Sequence, residues 1–255
     1  MDRMMYFDEY GDRKNPTIIL VHGAAATDTF AGQYRFQDQY HLVVPHLYGS
    51  GKEVEERYEP EKTVEAIVRI IKSLGKEKVL LMGHSLGGEL AVALAAKHEE
   101  LFSGAVFLSA WVCATEKSIA LFRRMAKITC KTLKWGWLVR WQAKHWNYNQ
   151  EQAEFMVQYA RKITPEQYVA WFTDRVYLDE LPEYASVKIP MLAICGTKEV
   201  KEMKKSLEEL GRRNGNCRTL LLEGVNHDFP LRNMDRLNPI LLDFFEKVEG
   251  KRSAL

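Results

Sequence analysis

Several features that would send this chain outside the cell, into a membrane or onto a metal are scarce. Cysteine occurs four times in 255 residues, at 113, 130, 195 and 217, too widely spaced for a zinc pattern. The first nine residues, Met1-Asp2-Arg3-Met4-Met5-Tyr6-Phe7-Asp8-Glu9, lack the apolar core of a signal peptide. Reduced thiols and a cytoplasmic location are therefore expected. No run approaches the roughly 20 apolar residues of a membrane span, so no integral membrane association is expected. Charge of one sign is missing as well: 36 Lys and Arg stand against 34 Asp and Glu, a net +2. The overall charge thus gives no reason to expect a nucleic-acid partner. Repeats, linkers and low-complexity segments are absent too. What is present is ordinary for a soluble enzyme, with 46% hydrophobic and 27% charged residues. The length suits one large α/β unit with an insertion.

The chain is organised around Val79-Leu80-Leu81-Met82-Gly83-His84-Ser85-Leu86-Gly87-Gly88. A short apolar run ending in Gly reads as a buried strand. The run Glu89-Leu90-Ala91-Val92-Ala93-Leu94-Ala95-Ala96-Lys97 that follows is made of helix formers, apolar nearly all round, and reads as a buried helix. Ser85 then sits on a strand-to-helix turn with no loop to spare. Such a turn needs an unfavourable backbone at Ser85 and glycines where neighbouring backbones approach. It exposes a hydroxyl at a helix N-terminus, where free N–H groups favour developing negative charge.

Other segments alternate in the same way. Residues 4–10 alternate weakly and read as an edge strand. Thr17-Ile18-Ile19-Leu20-Val21 is a β-branched buried strand running into His22-Gly23-Ala24-Ala25-Ala26. Residues 40–45 and 104–109 are further strands, and residues 63–74 carry Val64, Ile67, Val68, Ile71 and Leu74 on one helix face, stopped by Gly75. Ile189-Pro190-Met191-Leu192-Ala193-Ile194-Cys195-Gly196 and residues 218–222 complete the strands. A closing helix is expected to be capped by Asn238 with Pro239 at its first position. This rhythm predicts an α/β fold with a mostly parallel, doubly wound sheet.

The motif Gly83-His84-Ser85-Leu86-Gly87 between a strand and a helix, with His22-Gly23 after an earlier strand, resembles the α/β-hydrolases. The resemblance runs from about residue 17 to 248. It implies a helical cap between the sixth and seventh strands, here residues 112–187, with residues 1–111 and 188–255 forming the core. All six tryptophans, at 111, 135, 137, 141, 146 and 171, lie in or at the threshold of that cap, which implies an apolar roof over the pocket. The substrate-side residues expected are His22, Trp111, Trp137 and Trp141, His22 chiefly as a brace of its loop. Eight cations between residues 115 and 145 face only Glu116, either as a solvated face or to attract an anionic substrate or membrane surface. After residue 45, where many family members carry Asp-x-Pro-Gly-x-Gly, this chain has His46-Leu47-Tyr48-Gly49-Ser50-Gly51. His46 is expected to be a polar residue near the pocket rather than part of its chemistry.

A Ser hydroxyl needs a base, and the base needs an orienting carboxylate. His227 follows the last strand at the carboxyl edge of the sheet, where ligands bind in such folds. The family pattern Gly-x-x-Asp after the preceding strand falls on Gly196 and Glu199, with Glu in place of Asp; Glu202 and Asp228 are the alternatives. The resemblance implies Ser85 as nucleophile, His227 as base, Glu199 as acid, and the N–H groups of Ala24 and Leu86 as the oxyanion hole. It implies no metal or cofactor. The expected activity is hydrolysis of a carboxylic ester or thioester with an apolar acyl group, by a monomer or homodimer. Carbon–carbon bond hydrolysis, amide or peptide hydrolysis, perhydrolysis, or ligand reception on a hydrolase scaffold are the other readings.

Overall fold

The computed structural model describes residues 3–251. Seven strands form one sheet: β1 (Phe7–Tyr10), β2 (Thr17–Val21), β3 (His41–Pro45), β4 (Val79–His84), β5 (Phe102–Leu108), β6 (Met191–Gly196) and β7 (Cys217–Leu222). Their order is β1-β3-β2-β4-β5-β6-β7. β1 runs antiparallel to β3 and every other pair is parallel. The apolar runs explain this arrangement, because every residue of β2, β3, β4 and β6 is buried, as strands covered on both faces must be.

Alternation along these strands sorts the core into two layers. Ile19, Val21, Leu81, Ala105, Phe107 and Ala193 point to one face, packed with helices α1 (Pro60–Ser73) and α2 (Leu86–Lys97). Ile18, Leu20, Leu80, Met82, Val106 and Leu192 point to the other, packed with Phe30, Phe36, Leu237, Leu241 and Phe245. α1 starts with Pro60 at its first turn and ends before Gly75, whose φ of +65° suits the left-handed stop expected there.

Between β5 and β6 the described chain is mostly helical: α3 (Glu116–Thr129), α4 (Gly136–His145), α5 (Gln150–Ala160) and α6 (Pro165–Thr173), with one 3-10 turn between α3 and α4 and two more after α6. This helical segment falls between the fifth and sixth of the seven strands, where the sequence reading put it between a sixth and a seventh. α7 (Lys201–Arg213) joins β6 to β7, and α8 (Phe229–Arg232) and α9 (Met234–Val248) close the chain.

The start of the closing helix differs from expectation. Asn233 stands before α9, so Pro239 lies inside the helix. Asn238 caps nothing: its side chain donates to the carbonyl of Gly32 at 3.0 Å and accepts from Gln33 at 2.7 Å. No helix among the described residues is long and apolar enough to cross a membrane.

Candidate active site

Ser85 closes β4 and opens α2 with φ +56° and ψ −118°. An L residue in such a conformation costs about 1–3 kcal/mol and persists only where its surroundings fix it. Here the Ser85 N–H donates to the carbonyl of Leu108 at 2.9 Å, and the Glu89 N–H donates to the Ser85 carbonyl at 3.1 Å. The flanking glycines are sterically required. A Cβ at Gly83 would lie 2.1 Å from the Gly87 carbonyl oxygen, and one at Gly87 would lie 1.9 Å from that of Val21.

His227 lies in the loop between β7 and α8. Its Nε2 is 2.9 Å from Ser85 Oγ and its Nδ1 is 2.6 Å from Glu199 Oε2. Glu199 follows β6 and is almost fully buried. Its second oxygen accepts from the Gly196 N–H at 2.8 Å, the Ser109 hydroxyl at 2.7 Å and the Cys195 thiol at 3.4 Å. Burial pushes the carboxyl upward, but the hydrogen bond and charge of His227, with the Gly196 and Ser109 donors, outweigh it and hold the pKa at about 2. Glu199 is thus ionised through the neutral range. An ionised carboxylate only accepts, which assigns the imidazole proton to Nδ1 and leaves the Nε2 lone pair facing the Ser85 hydroxyl. The other carboxylates considered lie outside this chain of bonds: Glu202 is on the first turn of α7, and Asp228 is 3.3 Å from His145.

His84, inside the elbow motif, points away from the hydroxyl. Its Nε2–H donates to the carbonyl of His227 at 2.9 Å, and burial lowers its pKa to about 3, so it braces the His227 loop as a neutral ring. His22 is fully buried and does not line the cavity beside Ser85. Its Nδ1–H donates to the Gly23 carbonyl at 2.7 Å and its Nε2 accepts from the Leu47 N–H at 3.1 Å. It therefore acts only through the loop that carries Ala24. Thr29 ties the same loop, accepting from the Gly23 N–H at 3.3 Å and donating to the Ala26 carbonyl at 2.6 Å. Ala24 and Leu86 both line the cavity, and among the described residues neither N–H has a hydrogen-bond partner.

The cavity beside Ser85 holds about 360 Å³. Its apolar wall is built by Trp111, Phe122 of α3, Trp171 and Phe172 of α6, Val200 and Met203. Of the three tryptophans expected on the substrate side, Trp111 lines this cavity. Trp137 and Trp141 do not line it: they are 67% and 59% exposed on the outer side of α4, whose inner side, Val139, packs with Val157 and Ala160 of α5. Abundance of tryptophan could not separate the inner face from the outer. The spacing of Ile119, Phe122 and Ala126 on α3 carries that information and points to Phe122. His46 also lies elsewhere, buried with its Nε2–H donating to Asp8 at 2.8 Å, and it lines a separate cavity with Asp28 and Gln152.

Two further features escaped the sequence reading. Glu89, one helical turn after Ser85, forms a buried ion pair with Arg175, which also donates to the Trp111 carbonyl at 3.0 Å and lies 4.1 Å from the centre of its ring. Burial lowers Arg175 to about 10, leaving it charged at neutral pH. Ser109, with φ +50°, is the other. Ser109→Ala removes one of the donors holding the Glu199 carboxylate. A hydrogen bond to a charged group is worth about 1.5–3 kcal/mol, so kcat is expected to fall about tenfold and the acid limb of the pH–rate profile to change. Steady-state kinetics across pH, with thermal melts to register folding, read both. Among the described residues no group of three or more His, Cys, Asp or Glu side chains is placed to hold a metal ion.

A doubly wound parallel sheet with a hydroxyl, imidazole and carboxylate in line at its carboxyl edge is the architecture of a hydrolase. The model of the alpha/beta hydrolase family matches residues 18–240, and the chain belongs to that family. A putative carbamate hydrolase, RutD, of Serratia proteamaculans is 19% identical over 98% of this chain and 99% of its own. The uncharacterized hydrolase YugF of Bacillus subtilis is 26% identical, but the match covers only 41% of this chain and 40% of that protein. Among solved structures, one from a study of carboxylesterases of Nitrososphaera gargenis superposes with a TM-score of 0.79 at 16% identity, covering 97% of this chain and 96% of the other. An enol-lactonase from Burkholderia xenovorans LB400 gives 0.75 at 19% identity, covering 94% and 96%. At these identities the structural likeness shows the fold alone.

Proposed function

We propose that this chain is a cytoplasmic serine hydrolase that cleaves a carboxylic ester or thioester with an apolar acyl group, with residues 112–187 as its cap. The observation that carries the reading is the continuous path from Ser85 Oγ through both nitrogens of His227 to Glu199, at 2.9 and 2.6 Å, opening on an aromatic-walled cavity. His227 takes the Ser85 proton as Oγ attacks the carbonyl carbon. The carbonyl oxygen becomes an oxyanion facing the Ala24 and Leu86 N–H groups, each worth about 2.7–4 kcal/mol to the transition state. The imidazolium then protonates the departing alcohol or thiol, leaving an acyl-Ser85. Water, deprotonated by His227, releases the acid and regenerates Ser85. The carboxylesterase and enol-lactonase activities named for the superposing structures agree with this class of bond.

The test is rapid-mixing kinetics with a chromogenic ester, in which an acyl intermediate gives a burst of alcohol equal to the enzyme present. A linear trace with no turnover of esters or thioesters contradicts the proposal. The cavity wall adds a graded expectation. Each buried methylene is worth about 0.8 kcal/mol, so kcat/KM should rise about threefold to fourfold per acyl carbon until the pocket is full. Phe122→Ala should flatten that rise more than it slows acetate esters, while Trp137→Ala should leave it unchanged. A chain-length series on the three proteins measures this.

A further inference from the structure

The outer face of the helical segment has no part in the proposed chemistry. Trp135, Trp137 and Trp141 are 50%, 67% and 59% exposed. The rings of Trp135 and Trp137 stack with centroids 6.3 Å apart, and Trp137 and Trp141 are one helical turn apart on α4, so the three indoles form one patch. The preceding helix α3 leaves Leu121, Met125 and Ile128 exposed along one stripe, at 57%, 47% and 66%. Apolar side chains this large are ordinarily covered, and a run of them marks an interaction surface.

The segment that carries them is itself strongly basic. Lys117, Arg123, Arg124, Lys127, Lys131, Lys134, Arg140 and Lys144 are all exposed, and Glu116 is the single acid between residues 115 and 145. Arg140 pairs with Glu154 and Lys134 donates to the carbonyls of Arg161 and Ile163, while the other six cations make no ion pair among the described residues.

We propose that this face docks on an anionic lipid bilayer. Two copies joined through the same face would set like charges against one another, so charge opposes self-association and calls for a negative partner. The chemistry of the patch favours a bilayer over an acidic protein. Indoles settle at the membrane–water boundary, with the ring among acyl chains and the N–H among headgroups. Lys and Arg on flexible stems reach phosphate groups around them. Amphipathic helices combining these two elements bind in the plane of the interface without spanning it.

The experiment is co-sedimentation of the intact protein with vesicles of phosphatidylcholine alone or mixed equally with phosphatidylglycerol. The protein should partition at least about tenfold more strongly onto the mixed vesicles, and added salt should reverse the gain. Trp137→Ala with Trp141→Ala should weaken binding about tenfold, each aromatic anchor contributing its buried area. Hydrolysis of a short, water-soluble ester should stay at the wild-type rate, because neither residue lines the cavity. Lys131→Glu with Lys144→Glu should abolish the preference for mixed vesicles. Circular dichroism verifies folding of each variant. The proposal is overturned if the folded wild type stays in the supernatant with mixed vesicles, or binds both vesicle types equally in any salt. It is overturned too if analytical ultracentrifugation shows a dimer that the Trp variants lose. Binding is read without turnover, so the outcome is independent of whether the ester-hydrolase reading holds.

Discussion

Glu199→Gln is expected to lower kcat by about 10⁴-fold with little change in KM for a short ester. The carboxylate does two things that an amide cannot. It fixes the proton on Nδ1 of His227, because an ionised carboxylate only accepts, whereas an amide can present either an N–H or an oxygen. In the proposed mechanism it also stabilises the imidazolium formed as Ser85 loses its proton. Glu199 is held at about 2 against its own burial, so through the neutral range it is always in the form that does both. An effect confined to kcat means that the charge matters in the transition state rather than in binding. Glu202→Gln is the control: that residue opens α7 and takes no part in the path to Ser85, so kcat should change by less than about twofold. Steady-state kinetics of both variants decide the point, and a reversal would move the acid along the chain to Glu202.

Replacing Ser85 should separate activity from stability. Ser85→Ala removes the proposed nucleophile and is expected to lower kcat by about 10⁶-fold, leaving the backbone as strained as before, since Ala also carries a Cβ at φ +56°. Ser85→Gly loses the same activity but relieves the strain, because Gly accepts this conformation freely. Stability should rise by about 1 kcal/mol after the larger unfolded-state entropy of Gly is deducted, visible as a higher melting temperature than in Ser85→Ala. Equal melting temperatures would mean that the elbow stores no strain at Ser85.

How legible these features were depends on how local their causes are. The elbow is written in consecutive residues: glycines at 83 and 87 where a Cβ would strike the backbone, a strand before and a helix after. The buried strands were equally plain, because covering both faces requires unbroken apolar runs. The start of α9 was misread for the opposite reason. Asn238-Pro239 fits a local cap, but the Asn238 amide is taken by Gln33 and Gly32, some 205 positions away in the chain. Ser109 gave no signal because its partner Glu199 lies 90 positions on, and Arg175 and Glu89 meet across 86. The tryptophans show the limit of composition. Their number announced an aromatic segment, but the faces of α3 and α4, set by Ala126 and Val139 turning inward, decided which rings meet the cavity and which meet water.

The central claim is that Ser85 is an activated nucleophile, and one measurement meets it directly. The protein is treated with a fluorophosphonate probe and the adduct located by peptide mass spectrometry, with His227→Ala treated in parallel. The account predicts a single adduct on Ser85, formed rapidly in the wild type and slowed about 10³-fold or more without the His227 base. Absence of an adduct on the folded protein, an adduct on another residue, or labelling of Ser85 at the same rate in both proteins would contradict it.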